Sequence, residues 1–170
     1  MRKNIMLAAI IILGTAGLTT TGTAFAGGKE GTIGVGAEVG LNGETGGASV
    51  NYDAGAFHAG GFLGFFDGGG ANDTDFTFGG RFYYHVHQTG MTDFGVGGGL
   101  GFYSLDHRGV GAQERSTLLF FEPGIQIRAF IASNVALSFT AGISIGLVDA
   151  AGTVINGQLN AGAGIHYYFF

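Results

Sequence analysis

Val135-Ala136-Leu137-Ser138-Phe139-Thr140-Ala141-Gly142-Ile143-Ser144-Ile145-Gly146-Leu147 alternates large apolar and small side chains without a break. A two-residue period puts Val135, Leu137, Phe139, Ala141, Ile143, Ile145 and Leu147 on one face of a β-strand and the small residues on the other. A strand of a water-soluble sheet runs about 5 or 6 residues, whereas a tilted strand that crosses a hydrocarbon layer needs about 9 to 11. The length of this stretch fits the second case. Its inner row, Ser138, Thr140, Gly142 and Ser144, is small and uncharged, as expected for side chains pointing into a narrow closed lumen.

The two ends of the chain support an exported product. Met1-Arg2-Lys3-Asn4 precedes an apolar run from Ile5 to Leu13, and the segment closes on Ala24-Phe25-Ala26, the pattern of a secretory signal peptide with an A-x-A site. Residues 1–26 are therefore read as the signal and 27–170 as one mature domain. Outside that segment no stretch approaches the roughly 18 apolar residues of a membrane-spanning helix, so a membrane reading requires a closed β-barrel. The chain ends in Gly164-Ile165-His166-Tyr167-Tyr168-Phe169-Phe170. This resembles the C-terminal assembly signal of bacterial outer-membrane barrels. Gly164, Tyr167 and Phe169 fit its spacing and Phe170 is one residue extra, so either Phe169 or Phe170 is the recognised terminal aromatic.

Composition narrows the function classes. Loss of Arg2 and Lys3 with the signal takes the formal charge from −5 to −7, which argues against nucleic acid as a partner. With no cysteine, a disulfide framework and cysteine-based metal or redox sites are excluded. Glycine supplies 36 of the 170 residues without a period of three, in a chain too apolar for disorder. In a small barrel, glycine lets the wall bend and leaves room for bulky neighbours.

Alternation predicts eight strands. The first spans Thr32 to Leu41, with Glu38 inward, and turns at Asn42 to Gly46. The second, Gly47 to Ala54, sends Ser49, Asn51 and Asp53 inward. Both faces of the third, Ala56 to Phe66, are apolar or glycine, which leaves its register open. A polar loop, Asp67 to Asp75, leads to a fourth strand with Phe76, Phe78, Phe82, Tyr84 and Val86 outward and Thr77, Gly79, Arg81, Tyr83 and His85 inward. The fifth exposes Phe94, Val96, Leu100 and Phe102 and lines the lumen with Gly95, Gly97, Gly99 and Gly101. After Asp106 to Arg115, the sixth turns Leu119, Phe121, Ile125, Ile127 and Ala129 outward and Glu122, Gln126 and Arg128 inward. The seventh is the opening stretch, and the eighth spans Gly157 to Phe169 after a loop at Asp149 to Asn156. Pro123 removes a ladder donor where a closed barrel offers no edge, so Glu122-Pro123-Gly124 reads as a bulge.

Three constellations carry potential chemistry. Inward Glu38, Arg81, Glu122, Gln126 and Arg128 form a candidate polar network, read as a core of ion pairs in preference to a gate, because an eight-stranded wall leaves space that side chains just fill. His58, His85, His87 and His166 fall near one rim, with His85 and His87 on a shared face, and are read as part of an interfacial girdle in preference to a metal site. Asp106 and His107 with Ser104 or Ser116 are the ingredients of acyl transfer, without a geometry to support it. The acidic loop lacks the spacing of a calcium-binding EF-hand.

Taken together, the signal segment, the eight alternating strands and the aromatic terminus resemble the small eight-stranded bacterial outer-membrane β-barrel family of the OmpA/OmpX type, often called porin-like. The resemblance implies an all-β, up-and-down transmembrane barrel. It implies a non-enzymatic structural or surface-contact protein with a largely filled lumen, or alternatively a narrow passive channel for small solutes. Some small barrels of the outer membrane modify lipid A, but the His-x-Ser pair of the deacylase type is absent. Expected partners are outer-membrane lipids, lipopolysaccharide and the barrel-assembly machinery, with no cofactor and no metal. N-terminal sequencing of the exported protein is expected to begin at Gly27; a chain that retains Met1 would refute the signal assignment.

Overall fold

The computed structural model describes residues 29–40, 46–67, 74–105, 116–148, 153–154 and 162–169. The signal segment with Ala24 and Ala26, most of the four links at one end of the barrel, Asp106, His107, the start of the predicted eighth strand and Phe170 lie outside the described residues. The strands are β1 (Thr32–Gly40), β2 (Gly46–Asp53), β3 (Phe57–Asp67), β4 (Thr74–Gln88), β5 (Thr92–Leu105), β6 (Ser116–Ala132), β7 (Val135–Gly142), β8 (Ser144–Val148), β9 (Thr153–Val154) and β10 (Gly162–Phe169).

Every pairing is antiparallel between neighbours, and the β5–β6 and β1–β10 ladders complete a ring. Both β7 and β8 pair with β6, so they are two halves of one stave that meet at Ile143. The ring therefore has eight staves: β1, β2, β3, β4, β5, β6, β7 with β8, and β10. Closure gives each of the eight staves a partner on both sides, which removes the unpaired edges that a hydrocarbon layer does not tolerate.

Alternation sorts the side chains by face. Ile33, Val35, Val50, Leu63, Phe78, Phe82, Val96, Leu100, Phe121, Ile125, Ile127 and Phe139 are exposed on the outer wall. The buried set inside is Ser49, Asn51, Asp53, His58, Arg81, His85, Asp93, Glu122, Gln126, Arg128, Ser138, Thr140, Ser144 and His166. This polarity inverts that of a water-soluble domain. The register of β3, which sequence left open, places His58, Gly60, Phe62 and Gly64 inward by their pairing with Asn51, Asp53, Arg81 and Tyr83 on the flanking strands.

Pro123 is not in a bulge. Gly124 pairs with Gly142 and Phe121 with Ile145, so the register runs unshifted past the proline. The Ile143 N–H donates to the Pro123 carbonyl at 2.9 Å, while the return bond of that pair has no donor, since proline carries no N–H. The ladder is interrupted at that one place, where β7 gives way to β8. Irregularities in register occur instead between Phe130 and Ala132 and between Leu119 and Phe120.

Two local features hold the lumen open to bulky side chains. At Gly97 a Cβ would collide with the Phe82 carbonyl, so the close approach of β4 and β5 depends on glycine there. The turn from β2 to β3 uses Gly55 at φ 75°, with its N–H donating to Asp53 Oδ1 at 3.0 Å, and this fixes the Asp53 side chain at the rim. Replacement of Pro123 by Val supplies the missing donor and is expected to raise stability by about 1 kcal/mol in urea unfolding from lipid vesicles. A loss of stability would show that the interruption at Ile143 is needed for curvature.

Candidate functional site

The polar residues of the lumen form two ion-pair layers. In the middle of the barrel Arg81 of β4 reaches Glu38 of β1. Its Nη1 donates to Glu38 Oε2 at 2.6 Å, and its Nη2 contacts the other carboxylate oxygen, which makes a two-pronged fork. The pair spans the lumen because each partner is flanked by glycine in both ladders: Gly60 and Gly99 beside Arg81, Gly47 and Gly164 beside Glu38. His166 Nε2 lies 3.1 Å from Glu38 Oε1 and 2.6 Å from Ser49 Oγ. Asn51 Oδ1 lies 3.4 Å from Arg81 Nη2, and the Phe62 ring sits 6.0 Å from the guanidinium.

The second layer lies nearer the end with the short turns. Arg128 is 1% exposed and uses every nitrogen. Its Nε donates to both Asp93 oxygens at 3.0 Å, its Nη2 to Asp93 Oδ2 and Asp53 Oδ2 at 2.7 Å each, and its Nη1 to the Tyr168 hydroxyl at 2.9 Å. Nη2 also approaches His85 Nε2 at 3.1 Å, and the Phe130 ring lies 5.5 Å away. A guanidinium this deep is tolerable because its charge is met by carboxylates and its donors are filled.

The five residues singled out from sequence thus take separate stations. Glu38 and Arg81 pair with each other. Arg128 pairs with Asp53 and Asp93, neither of which belonged to the candidate set. Their signal was present in the period: Asp53 continues the inward row of Ser49 and Asn51, and Asp93 continues that of Gly95 to Gly101. Glu122 accepts a hydrogen bond from Ser144 of β8, and Gln126 is buried between Gly95 and Thr140.

The histidines also divide. A register shift between His85 and His87 sets His87 opposite outward Phe94, where it is exposed, so the shared face expected for His85 and His87 does not occur. His85 instead meets His58 of β3, Nδ1 of His58 lying 2.7 Å from Nε2 of His85. Among the described residues no group of three or more His, Cys, Asp or Glu is arranged to hold a metal ion. Ser104 lies on the outward row of β5, away from the lumen.

On β10, Gly164 packs inward beside Glu38 and Ser138, while Tyr167 and Phe169 face outward with ring centroids 5.1 Å apart. Tyr168 between them turns in to Arg128.

A closed antiparallel barrel of eight staves, apolar outside and charged within, is the class that fold and interior define. In structure the chain is similar to the N-terminal β-barrel domain of Pseudomonas aeruginosa OprF, with a TM-score of 0.64 and 14% identity over 82% of this chain and 98% of that domain. That likeness is one of fold. No family model matches the chain, and no curated protein matches it in sequence.

The two layers differ in what their loss leaves behind. Arg128→Met strands Asp53 and Asp93 as buried carboxylates and is expected to cost about 3–5 kcal/mol in urea unfolding from vesicles. Arg81→Met leaves Glu38 with His166 and a partly exposed carboxylate, so its cost should be clearly smaller. Equal losses would contradict the division into two layers.

Proposed function

We propose that the chain is an integral protein of the bacterial outer membrane, non-enzymatic, with a lumen filled by side chains, serving the wall structurally or through surface contacts. The observation that carries this is the outer face. Between the rims the residues that point away from the lumen are apolar or glycine, among them Ile33, Val50, Phe82, Leu100, Ile127 and Phe139, while the Arg81 and Arg128 ion pairs lie inside. Only a hydrocarbon surrounding favours that arrangement. Aromatic residues gather toward both rims, Tyr52, Tyr84, Tyr167 and Phe169 at one and Phe65, Phe76 and Phe78 at the other, as suits two membrane interfaces.

Orientation follows from the links. Three residues join β2 to β3 and β4 to β5, and two join β6 to β7, whereas the links at the opposite end span five residues or more. Short turns belong on the periplasmic side and longer links outside. In this reading the lipids and lipopolysaccharide of the outer membrane cover the wall. The assembly machinery recognises β10 through Gly164, Tyr167 and a terminal aromatic, Phe169 or Phe170.

The narrow-channel alternative requires a continuous opening past Arg128 and the Arg81–Glu38 pair. Planar-bilayer recordings of the refolded mature protein are expected to show no ion-conducting steps. Steps that disappear in Arg81→Ala or Glu122→Gln would replace the filled-lumen reading with the channel.

A further inference from the structure

Six buried side-chain atoms inside the described barrel have no hydrogen-bond partner: Thr32 Oγ1, His58 Nε2, Arg81 Nε, Tyr83 OH, Gln126 Oε1 and His166 Nδ1. Tyr83 and His58 are each fully buried. Buried polar groups without partners are rare and costly, and ordered water is what completes them where there is room for it. These atoms are not scattered. His166 and Arg81 belong to the middle ion-pair layer, and Tyr83 and His58 pair in the ladder one step below. Gln126 lies across the glycines of β5 from His85.

The direction of the hydrogen bonds is determined at the lower end. The Gly55 carbonyl only accepts, so the neutral His85 ring keeps its lone pair on Nε2, and the two Nη2 hydrogens of Arg128, 3.1 Å from that nitrogen, serve Asp53 and Asp93. His85 Nδ1 bears the proton and donates it to the Gly55 carbonyl at 2.7 Å, and Gln88 Nε2, 2.9 Å from the same ring nitrogen, directs its own hydrogen to that carbonyl at 3.0 Å. Because Nε2 of His85 is an acceptor, Nδ1 of His58 is the donor across their 2.7 Å contact, and the lone pair of His58 Nε2 is left on the side of the buried Gln126 amide. The two imidazoles form a one-way string that starts at an unpartnered acceptor and ends at the rim beside exposed Gln88.

At the other end the middle layer is open. A small pocket of about 50 Å³ lies over it, lined by Phe62, Thr77, Tyr103 and Thr140 with Arg81 and Glu38. Along β4 the inward residues Arg81, Tyr83 and His85 follow at two-residue steps of about 7 Å, a gap that one or two waters bridge.

We propose that this lumen conducts protons, and not solutes, along water and side chains from the pocket above Arg81 and Glu38, past Tyr83, through His58 and His85 to the short-turn rim. This rests on the filled-lumen reading above. In each passage a proton from lumen water bonds to His58 Nε2, and the bond to hydrogen at His58 Nδ1 breaks as that proton moves to His85 Nε2. His85 releases its Nδ1 proton to water at the rim. One proton enters and one leaves, nothing is oxidised or reduced, and the rings return to their starting tautomers by turning or by exchange through water. Arg128 opposes a positive charge on His85, and Asp53 and Asp93, both bonded to Arg128, offset it.

The test is proton flux into vesicles that carry the mature protein and an entrapped pH-sensitive dye, with potassium and valinomycin clamping the potential. Acidification several-fold faster than in protein-free vesicles is expected, with no added chloride or sucrose permeability. His58→Phe should return the rate close to that of protein-free vesicles, with heat-shifted gel migration as the check on folding. Tyr83→Phe keeps the ring and removes only the unpartnered hydroxyl, so it should slow the flux and decides the matter if His58→Phe does not fold. Flux equal to that of protein-free vesicles, or unchanged in a folded variant at either position, overturns the relay while leaving the filled lumen intact. Sucrose or chloride passage would instead remove the filled-lumen reading itself.

Discussion

The structure depends on one requirement, that each backbone N–H and C=O find its partner sideways in the ladder. Meeting it around a full circle is what the β5–β6 and β1–β10 pairings accomplish. Once the ring closes, each residue has only two directions left, and the two-residue period assigns them. Apolar side chains go outward, and whatever is polar must be accommodated in the lumen. Pro123 tests the requirement. It forfeits one donor, and the cost falls on a single pair opposite Ile143 because the registers on either side stay aligned.

The lumen then faces its own constraint, since a narrow interior has too little water to solvate free charges and little room for many large side chains. The answer is an exchange of volume between neighbours. Arg81 and Glu38 each sit between glycines, which lets two long side chains cross the interior and meet. Arg128 adopts another solution, with Asp93 on the next strand and Asp53 delivered by the Gly55 turn. The glycines beside Arg81 and Glu38 thus make room for the large polar residues that they flank.

Much of this was legible in the sequence, for a physical reason. A period of two carried over a bilayer's width reports both strand and face, so the eight staves and the inward positions of Glu38, Arg81, Glu122, Gln126 and Arg128 could be read one strand at a time. Which inward residues meet could not, because pairing depends on strand tilt and on residues several staves away. Asp53 and Asp93 were visible as inward residues and invisible as partners of Arg128. The shift that separates His87 from His85 lies within a strand that alternates regularly on either side, and no residue there marks it. The proline misled in the opposite sense: a conspicuous residue suggested a bulge where the register is unshifted.

Charge within the lumen closes the argument. On the levels of the two ion-pair layers, Arg81 and Arg128 face four carboxylates, those of Glu38, Asp53, Asp93 and Glu122. An interior with more carboxylates than guanidinium groups holds its acid by hydrogen bonds, and the Ser144 hydroxyl on Glu122 and the His166 ring on Glu38 supply them. It also attracts positive charge while leaving little room for a hydrated ion. The proton is the cation that needs no room, because it moves by exchange between groups already in place. On the reading proposed above, a tight wall and an acidic interior leave the proton as the species able to pass, with the His58–His85 pair on its route.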